Sequence, residues 1–202
     1  MKIKFCGLTT LESLKHVCAL DAHFAGFIFA KQSSRKVEPS FIKQLAGFDF
    51  HQTIPVCIFV NPSIEEVYQA IEILPNTILQ FHGDESDSFC SQFHQPFWKS
   101  IPVQNRQSLS MSNNFPSAQG ILYETFSENL YGGTGQSFNW GLLKGIDLSK
   151  NFILAGGINS TNLQSAISLN PWCIDINSGV ESVLGIKDNS LMSEIMTTFN
   201  HG

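Results

Sequence analysis

The chain has 202 residues, of which 43% are hydrophobic and 14% charged, and carries a net charge of −5 at neutral pH. That length suits one domain with a substantial core, and the apolar share excludes a disordered chain. Lys and Arg are scattered and no apolar run nears the ~18 residues of a membrane span, so neither nucleic acid nor membrane is expected as a partner.

The first ten residues, MKIKFCGLTT, lack the apolar core of a signal peptide. Cys6, Cys18, Cys57, Cys90 and Cys173 are odd in number and widely spaced, with no CxxC pair. Free thiols in a reducing compartment explain them better than a disulfide framework or a zinc site. The histidines show no HExxH spacing. The reading is a cytoplasmic protein without a bound metal.

In chain order, short apolar runs alternate with amphipathic stretches. The runs are Lys2–Cys6, Phe24–Phe29, Ile54–Val60, Thr77–Phe81, Phe97–Val103, Gly120–Glu124, Asn151–Ala155 and Trp172–Ile176. They are apolar on both faces, as parallel strands covered by helices are. Helical periodicity fills the gaps: Ile64, Val67, Ile71 and Leu74 share a face, as do Leu191, Ile195 and Phe199. Thr9 with Glu12, and Ser63 with Glu66, have capping-box spacing. The polar, Ser-rich stretch Arg106–Asn114 is the weakest helical segment.

Eight strand–helix units of about 25 residues each predict a (β/α)8 TIM barrel of near-minimal length, spanning residues 1–202 as a single domain. An open doubly wound sheet is the alternative, but it would gather ligand chemistry at one switch point. Here polar residues follow strand after strand, and a barrel brings all of those positions to one mouth.

At that mouth the stretch Ile121–Trp140 stands out. A short strand delivers the acid Glu124 to its C-terminal end; a glycine turn follows, with Gly132, Gly133 and Gly135, then a helix start near Phe138. The turn is neither a P-loop nor a dinucleotide fingerprint. It reads as a mobile loop whose amides could hold an anion beside a proton donor. Cys6 ends the first strand just before a helix start, where amides and a nearby cation would lower a thiol pKa and supply a base. The turns Gly156-Gly157 and Ser178-Gly179 follow the seventh and eighth strands, where barrels often bind phosphate. Arg35 can clamp a carboxylate, His82 ends the fourth strand as a substrate contact, and Asp175 can orient a hydroxyl.

Taken together, KFCGLT, GFIFAKQSSRKV, VCIFVN, LQFHGDE, YGGTGQSFNW, ILAGGIN and DINSGVES with GIKD occur in the order and spacing of phosphoribosylanthranilate isomerases, and the chain resembles that family over nearly its whole length. The resemblance implies an Amadori rearrangement in tryptophan biosynthesis, on a (β/α)8 barrel without a cofactor. It implies a small phosphosugar substrate and a monomer or homodimer. By the same resemblance Cys6 matches the general base, Glu124 the general acid, Arg35 the anthranilate-carboxylate grip, and the AGG and NSG turns the phosphate loops. The family's acid is usually Asp; Glu124 is one methylene longer, and an acid misplaced by about 1 Å can lose on the order of 100-fold in rate. For Glu124 to act near neutrality, burial should raise its pKa from ~4.3. The competing readings are another phosphosugar isomerase on the same barrel, expected to use two carboxylates, and a decayed barrel that only binds phosphorylated ligands or a partner.

Overall fold

The computed structural model describes residues 1–126, 137–143 and 151–201. Eight parallel strands close into a barrel: β1 (Lys2–Phe5), β2 (Phe24–Ile28), β3 (Ile54–Phe59), β4 (Ile78–Phe81), β5 (Phe97–Val103), β6 (Gly120–Thr125), β7 (Asn151–Leu154) and β8 (Cys173–Ile176). The ring is sealed where β1 pairs with β8, from Lys2 opposite Cys173 to Phe5 opposite Ile176. Each strand lies within a residue of its expected ends, because a strand buried on both faces is mostly apolar along its length.

Alternation along each strand sorts the side chains into two sets. Ile3, Phe5, Ala25, Phe27, Leu79, Phe81, Ile121, Tyr123, Leu154 and Ile174 belong to the larger core that the outer elements cover. Phe24, Ile28, Val56, Ile58, Trp98, Leu122, Ile153 and Cys173 form a second core inside the barrel. Its N-terminal end is plugged by aromatic rings, with Phe24 edge-on to Trp98 at 4.9 Å and Trp98 edge-on to Trp172 at 5.9 Å. Towards the C-terminal end buried polar residues take over: Lys4, Gln80, Ser100, Glu124 and Asp175. The apolar floor and polar ceiling place any chemistry at the C-terminal mouth.

The outer layer comprises α1 (Leu11–Ala19), α2 (Pro39–Leu45), α3 (Ile64–Ile73), α4 (Asp87–Ser91), α5 (Leu163–Ile167) and α6 (Asn189–His201), with 3-10 segments at Arg106–Asn114, Trp140–Leu143 and Ser178–Val180. Arg106–Asn114 has only Leu109 buried, too narrow an apolar stripe to specify a longer α-helix. The helix start expected near Phe138 is the short segment at Trp140. At α3 the capping box of Ser63 and Glu66 is present in both directions. At α1 the expectation is corrected by one residue. Thr10, not Thr9, caps the helix, accepting from Ser13 N at 3.2 Å. Thr9 Oγ1 instead donates to Gly185 O at 3.1 Å, tying down a hairpin the sequence reading did not anticipate, β9 (Glu181–Val183) and β10 (Ile186–Lys187), inserted between β8 and α6. His16 closes the outer ring, its Nε2 lying 3.0 Å from both Asn189 O and Ser193 Oγ of α6. No described helix is long and apolar enough to cross a membrane.

Candidate active site

Cys6 follows β1 directly and is buried, with its backbone N–H donating to Ile176 O at 2.9 Å. Two residues earlier, on the same inward face, the fully buried Lys4 donates to Asp175 Oδ2 at 2.8 Å, and its charge bears on the Cys6 thiol. The expectation of a resting thiolate is corrected. Burial pushes the Cys6 thiol up, and Asp175 adds to that, while Lys4 and Lys187 offset only part of it. With α1 starting at Leu11, the helix-end amides lie further along the chain than the sequence suggested. Lys4 itself is raised well above the ordinary lysine value: burial acts against its charge, but Asp175 and Cys6 outweigh burial. Asp175, expected to orient a hydroxyl, is instead this lysine's counter-ion, and its Oδ1 is buried without a hydrogen-bond partner.

Glu124 lies near the C-terminal end of β6, three strands around the ring from β1. Its Oε1 accepts from Ser100 Oγ on β5 and faces His82 Nδ1 at 2.9 Å. The expected upward pKa shift is corrected as well. Burial does push the carboxyl up, but His82, Ser100 and Lys4 together outweigh it and hold Glu124 below the usual carboxylate range. Behind His82 stands Gln80, completely buried, its Nε2 against His82 Nε2 and its Oε1 without a partner. A buried acceptor left unpaired costs about 1–3 kcal/mol, so this amide is held by something other than its own satisfaction. His82, read as a substrate contact, is thus the middle member of a Gln80–His82–Glu124 chain.

Arg35 is buried and already clamps a carboxylate, that of Glu181 on β9, through Nε at 2.7 Å and Nη2 at 2.8 Å. Glu181 also accepts from Lys187 Nζ at 2.8 Å, and Lys187 donates to Asn177 O and Oδ1 at 2.9 and 2.7 Å. Burial would raise Glu181, but the two cations hold it low. Lys187 is lowered by burial despite Glu181. The inserted hairpin therefore locks the Arg35 loop to the turn after β8.

The two expected phosphate turns lie at this same mouth and touch. A Cβ on Gly179 would collide with the Ile158 carbonyl, so the loops after β7 and β8 approach as closely as backbones can. Gly156 and Gly157 have φ of 90° and 64°, which only glycine adopts freely, and a Cβ at Gly156 would sit 2.5 Å from Thr125 Oγ1 at the end of β6. Ser178 opens the short 3-10 turn between them and the hairpin. Gly132, Gly133 and Gly135 of the glycine turn lie outside the described residues. A separate cavity of ≈ 310 Å³, lined by Phe29, Ile42, Phe59, Asn61 and Ile73 among others, includes none of these groups.

Sequence reasoning missed Lys4, Gln80, Ser100, Glu181 and Lys187. A signal existed for the first three, since each is polar at an inward position of a strand otherwise buried on both faces. For the hairpin pair none existed, because their partners are fixed by tertiary structure alone.

A closed (β/α)8 barrel with a buried thiol, a buried carboxyl and two abutting glycine turns at its C-terminal mouth has the layout of a barrel enzyme. A family model described as N-(5'-phosphoribosyl)anthranilate (PRA) isomerase matches residues 3–198. The N-(5'-phosphoribosyl)anthranilate isomerase of Stenotrophomonas maltophilia (strain K279a) is 36% identical over 195 residues, covering 95% of this chain and 89% of that protein. Among solved structures, phosphoribosyl anthranilate isomerase from Thermotoga maritima superposes with a TM-score of 0.89 at 26% identity, covering 100% of both chains. A phosphoribosyl anthranilate isomerase in complex with reduced 1-(o-carboxyphenylamino)-1-deoxyribulose 5-phosphate gives 0.86 at 25%, again over 100% of both. The chain belongs to the phosphoribosylanthranilate isomerase family and is an isomerase of tryptophan biosynthesis.

Proposed function

We propose that this chain converts N-(5'-phosphoribosyl)anthranilate to 1-(2-carboxyphenylamino)-1-deoxyribulose 5-phosphate by an Amadori rearrangement, with Glu124 as general acid and Cys6 as general base. The observation that carries the assignment is the pair itself. A buried carboxyl near the end of β6 and a buried thiol just after β1 lie three strands apart around one mouth, with the field of Lys4 reaching both.

The chemistry needs one group of each kind. Glu124 is held ionised in the free site, so it must take up a proton before it acts; it then protonates the furanose ring oxygen, the ring C–O bond breaks, and the substrate's own nitrogen stabilises the resulting Schiff base. Cys6 then removes the C2′ proton, and the enolamine tautomerises to the ketose. Each proton transfer supplies about 10²–10⁴-fold. A thiol raised by burial is a stronger base once ionised, and Lys4, whose charge bears on it, stabilises the thiolate as it forms.

Binding uses the two ends of the substrate. The amides of Gly156, Gly157, Ser178 and Gly179 hold the phosphate where the two loops abut. Arg35 spends two of its five N–H donors on Glu181, and the others serve the anthranilate carboxylate in an orientation that Glu181 has already fixed. The relative crystallised with a reduced product analogue supports a ligand of this chemistry in such a barrel.

The test is to generate phosphoribosylanthranilate in situ and follow the loss of its anthranilate fluorescence. Turnover by the parent, with at least ~100-fold lower kcat in Cys6→Ala and in Glu124→Gln but product-analogue binding retained, is the expected result. Near-parental kcat in either variant removes that residue from its role.

A further inference from the structure

The Glu124 carboxyl has two oxygens in unlike surroundings. Oε1 takes two partners, Ser100 Oγ from β5 and His82 Nδ1 just after β4, and both of Glu124's side-chain hydrogen bonds to described residues fall on that oxygen, none on Oε2. Ser100 can only donate to Oε1 in this contact. What His82 offers there depends on its tautomer, and neutral imidazole carries its proton on one nitrogen and a lone pair on the other. The other nitrogen decides. His82 Nε2 faces Gln80 Nε2, an amide nitrogen that only donates, so Nε2 must be the acceptor and Nδ1 must carry the proton.

We infer that Gln80 is a positioning residue for the isomerisation: by holding His82 in the Nδ1–H form it keeps Glu124 Oε1 an acceptor and directs the catalytic proton to Oε2. This rests on the assignment of Glu124 as the acid. The consequence is geometric. With Nδ1–H and Ser100 O–H both pointing at Oε1, a proton on that oxygen would oppose two donors, so the carboxyl takes up its proton on the oxygen left open. In the opposite tautomer the Nδ1 lone pair would draw that proton onto Oε1, where it is hydrogen-bonded to His82 and not to a substrate.

While Glu124 is ionised it only accepts, and so it also favours Nδ1–H; once it takes up a proton, the choice falls to Gln80. Lys4 acts on Glu124 from β1. Lys99 on β5 donates to Gly83 O, next to His82, but is paired with Glu85 at 3.2 Å. Among the described residues, the partners of the two His82 ring nitrogens are Gln80 and Glu124. Gln80 is completely buried on an inward position of β4, where a side chain without a task would be apolar. Its unpaired Oε1 fits a residue retained for its N–H.

The test pairs nitrogen-15 NMR of labelled histidine side chains with steady-state kinetics. In the parent, His82 should show a protonated Nδ1 and an unprotonated Nε2 at pH 7.5 or above. Gln80→Glu replaces the donor with a near-isosteric acceptor and should draw a proton to Nε2, lowering kcat by about 100-fold or more with KM within about twofold; should His82 become doubly protonated there, Gln80→Met decides. A wrong imidazole tautomer in an otherwise intact site is known to reduce turnover by about 10⁴-fold in the serine-protease triad. Gln80→Met, with neither donor nor acceptor, should give a mixture of tautomers and a kcat between the two. An Nε2–H tautomer in the parent overturns the inference. So does a tautomer that stays unchanged in both variants, or one that switches while kcat holds. None of those results touches the assignment of Glu124 as the acid. Parental kcat in Glu124→Gln removes that assignment, and this inference with it.

Discussion

Glu124 shows how one methylene is accommodated at the scale of a single residue. Ser100 and His82 both reach its Oε1, so the site is built around the longer acid. Shortening it by Glu124→Asp withdraws the carboxyl by about 1.5 Å and breaks both contacts, which should lower kcat on the order of 100-fold, because displacements of this size near the reacting atoms carry that penalty. Steady-state fluorescence kinetics decide it, and an unchanged or higher kcat would show that the two partners do not set the position of the acid. Glu181 gives a second case. It is the shared counter-ion of Arg35 and Lys187, both buried. Removing one partner from a buried ion-pair network leaves the others unpaired, at about 3–5 kcal/mol. Glu181→Ala should therefore lower stability in urea by that order and raise KM more than it lowers kcat, since Arg35 loses the partner that orients it. A variant with parental KM would separate Arg35 from substrate binding. None of this was legible in the sequence: Glu181 is 146 residues from Arg35, and Asp175 is 171 from Lys4. Cys6, Arg35 and Glu124 could be singled out, because a strand end announces itself locally. The direction of the Cys6 and Glu124 pKa shifts could not, because it depends on which cation or donor the fold brings within reach.

Among the secondary-structure elements, strands were legible to within a residue and helix ends less so. A strand of a parallel barrel is mostly apolar, and its limits are where the apolar run stops. Helix starts are set by which hydroxyl reaches which amide, and Thr9 and Thr10 offered two candidates. The structure gives them separate tasks, a hairpin tie and a cap. These tasks make distinguishable predictions. Ser63→Ala and Thr10→Ala should each lower stability by about 1 kcal/mol, the usual effect of losing an N-cap, with kcat unaffected. Thr9→Ala should leave α1 intact but loosen Gly185, and with it the hairpin that carries Glu181, so its effect should fall on KM. Denaturant unfolding and kinetics on the three variants check the division. If Thr9→Ala destabilises α1 in hydrogen exchange as much as Thr10→Ala does, the cap is shared. The inserted hairpin was invisible beforehand because Glu181–Val183 and Ile186–Lys187 are too short and too exposed to carry a strand pattern.

For the whole molecule, the direction of each pKa shift sets how stability varies with pH. Glu124 and Glu181 are held below the usual glutamate value of about 4.3. The folded chain then binds fewer protons than the unfolded one in acid, so their stabilisation is complete above about pH 4.3 and is lost as pH falls through their lowered values. His23 is lowered by burial, with Lys2 and the N-terminus adding to it, and this removes further stability as pH drops below about 6.5. At the alkaline side the thiols dominate. Burial raises all five cysteines, Cys57 and Cys90 to about 12, so they stay protonated in the folded chain after the unfolded chain ionises near pH 8.5. Stability falls with rising pH from there. Lys4, raised by Asp175, adds to that fall above about pH 10.4, and the lowered Lys187 opposes the thiols below that value, where it sheds its proton before the unfolded chain does. Five thiols against one lysine leave the fall in place. The melting temperature should thus be flat between about pH 6.5 and 8, decline on both sides, and decline on the alkaline side well before lysines titrate. Cys57→Val and Cys173→Val, which keep the barrel filled but remove an ionisable group, should each make the alkaline slope shallower while leaving the acid slope unchanged. A melting temperature that holds level to pH 10 in the parent, or an alkaline slope unaltered in both variants, would show that thiol burial does not govern stability at high pH.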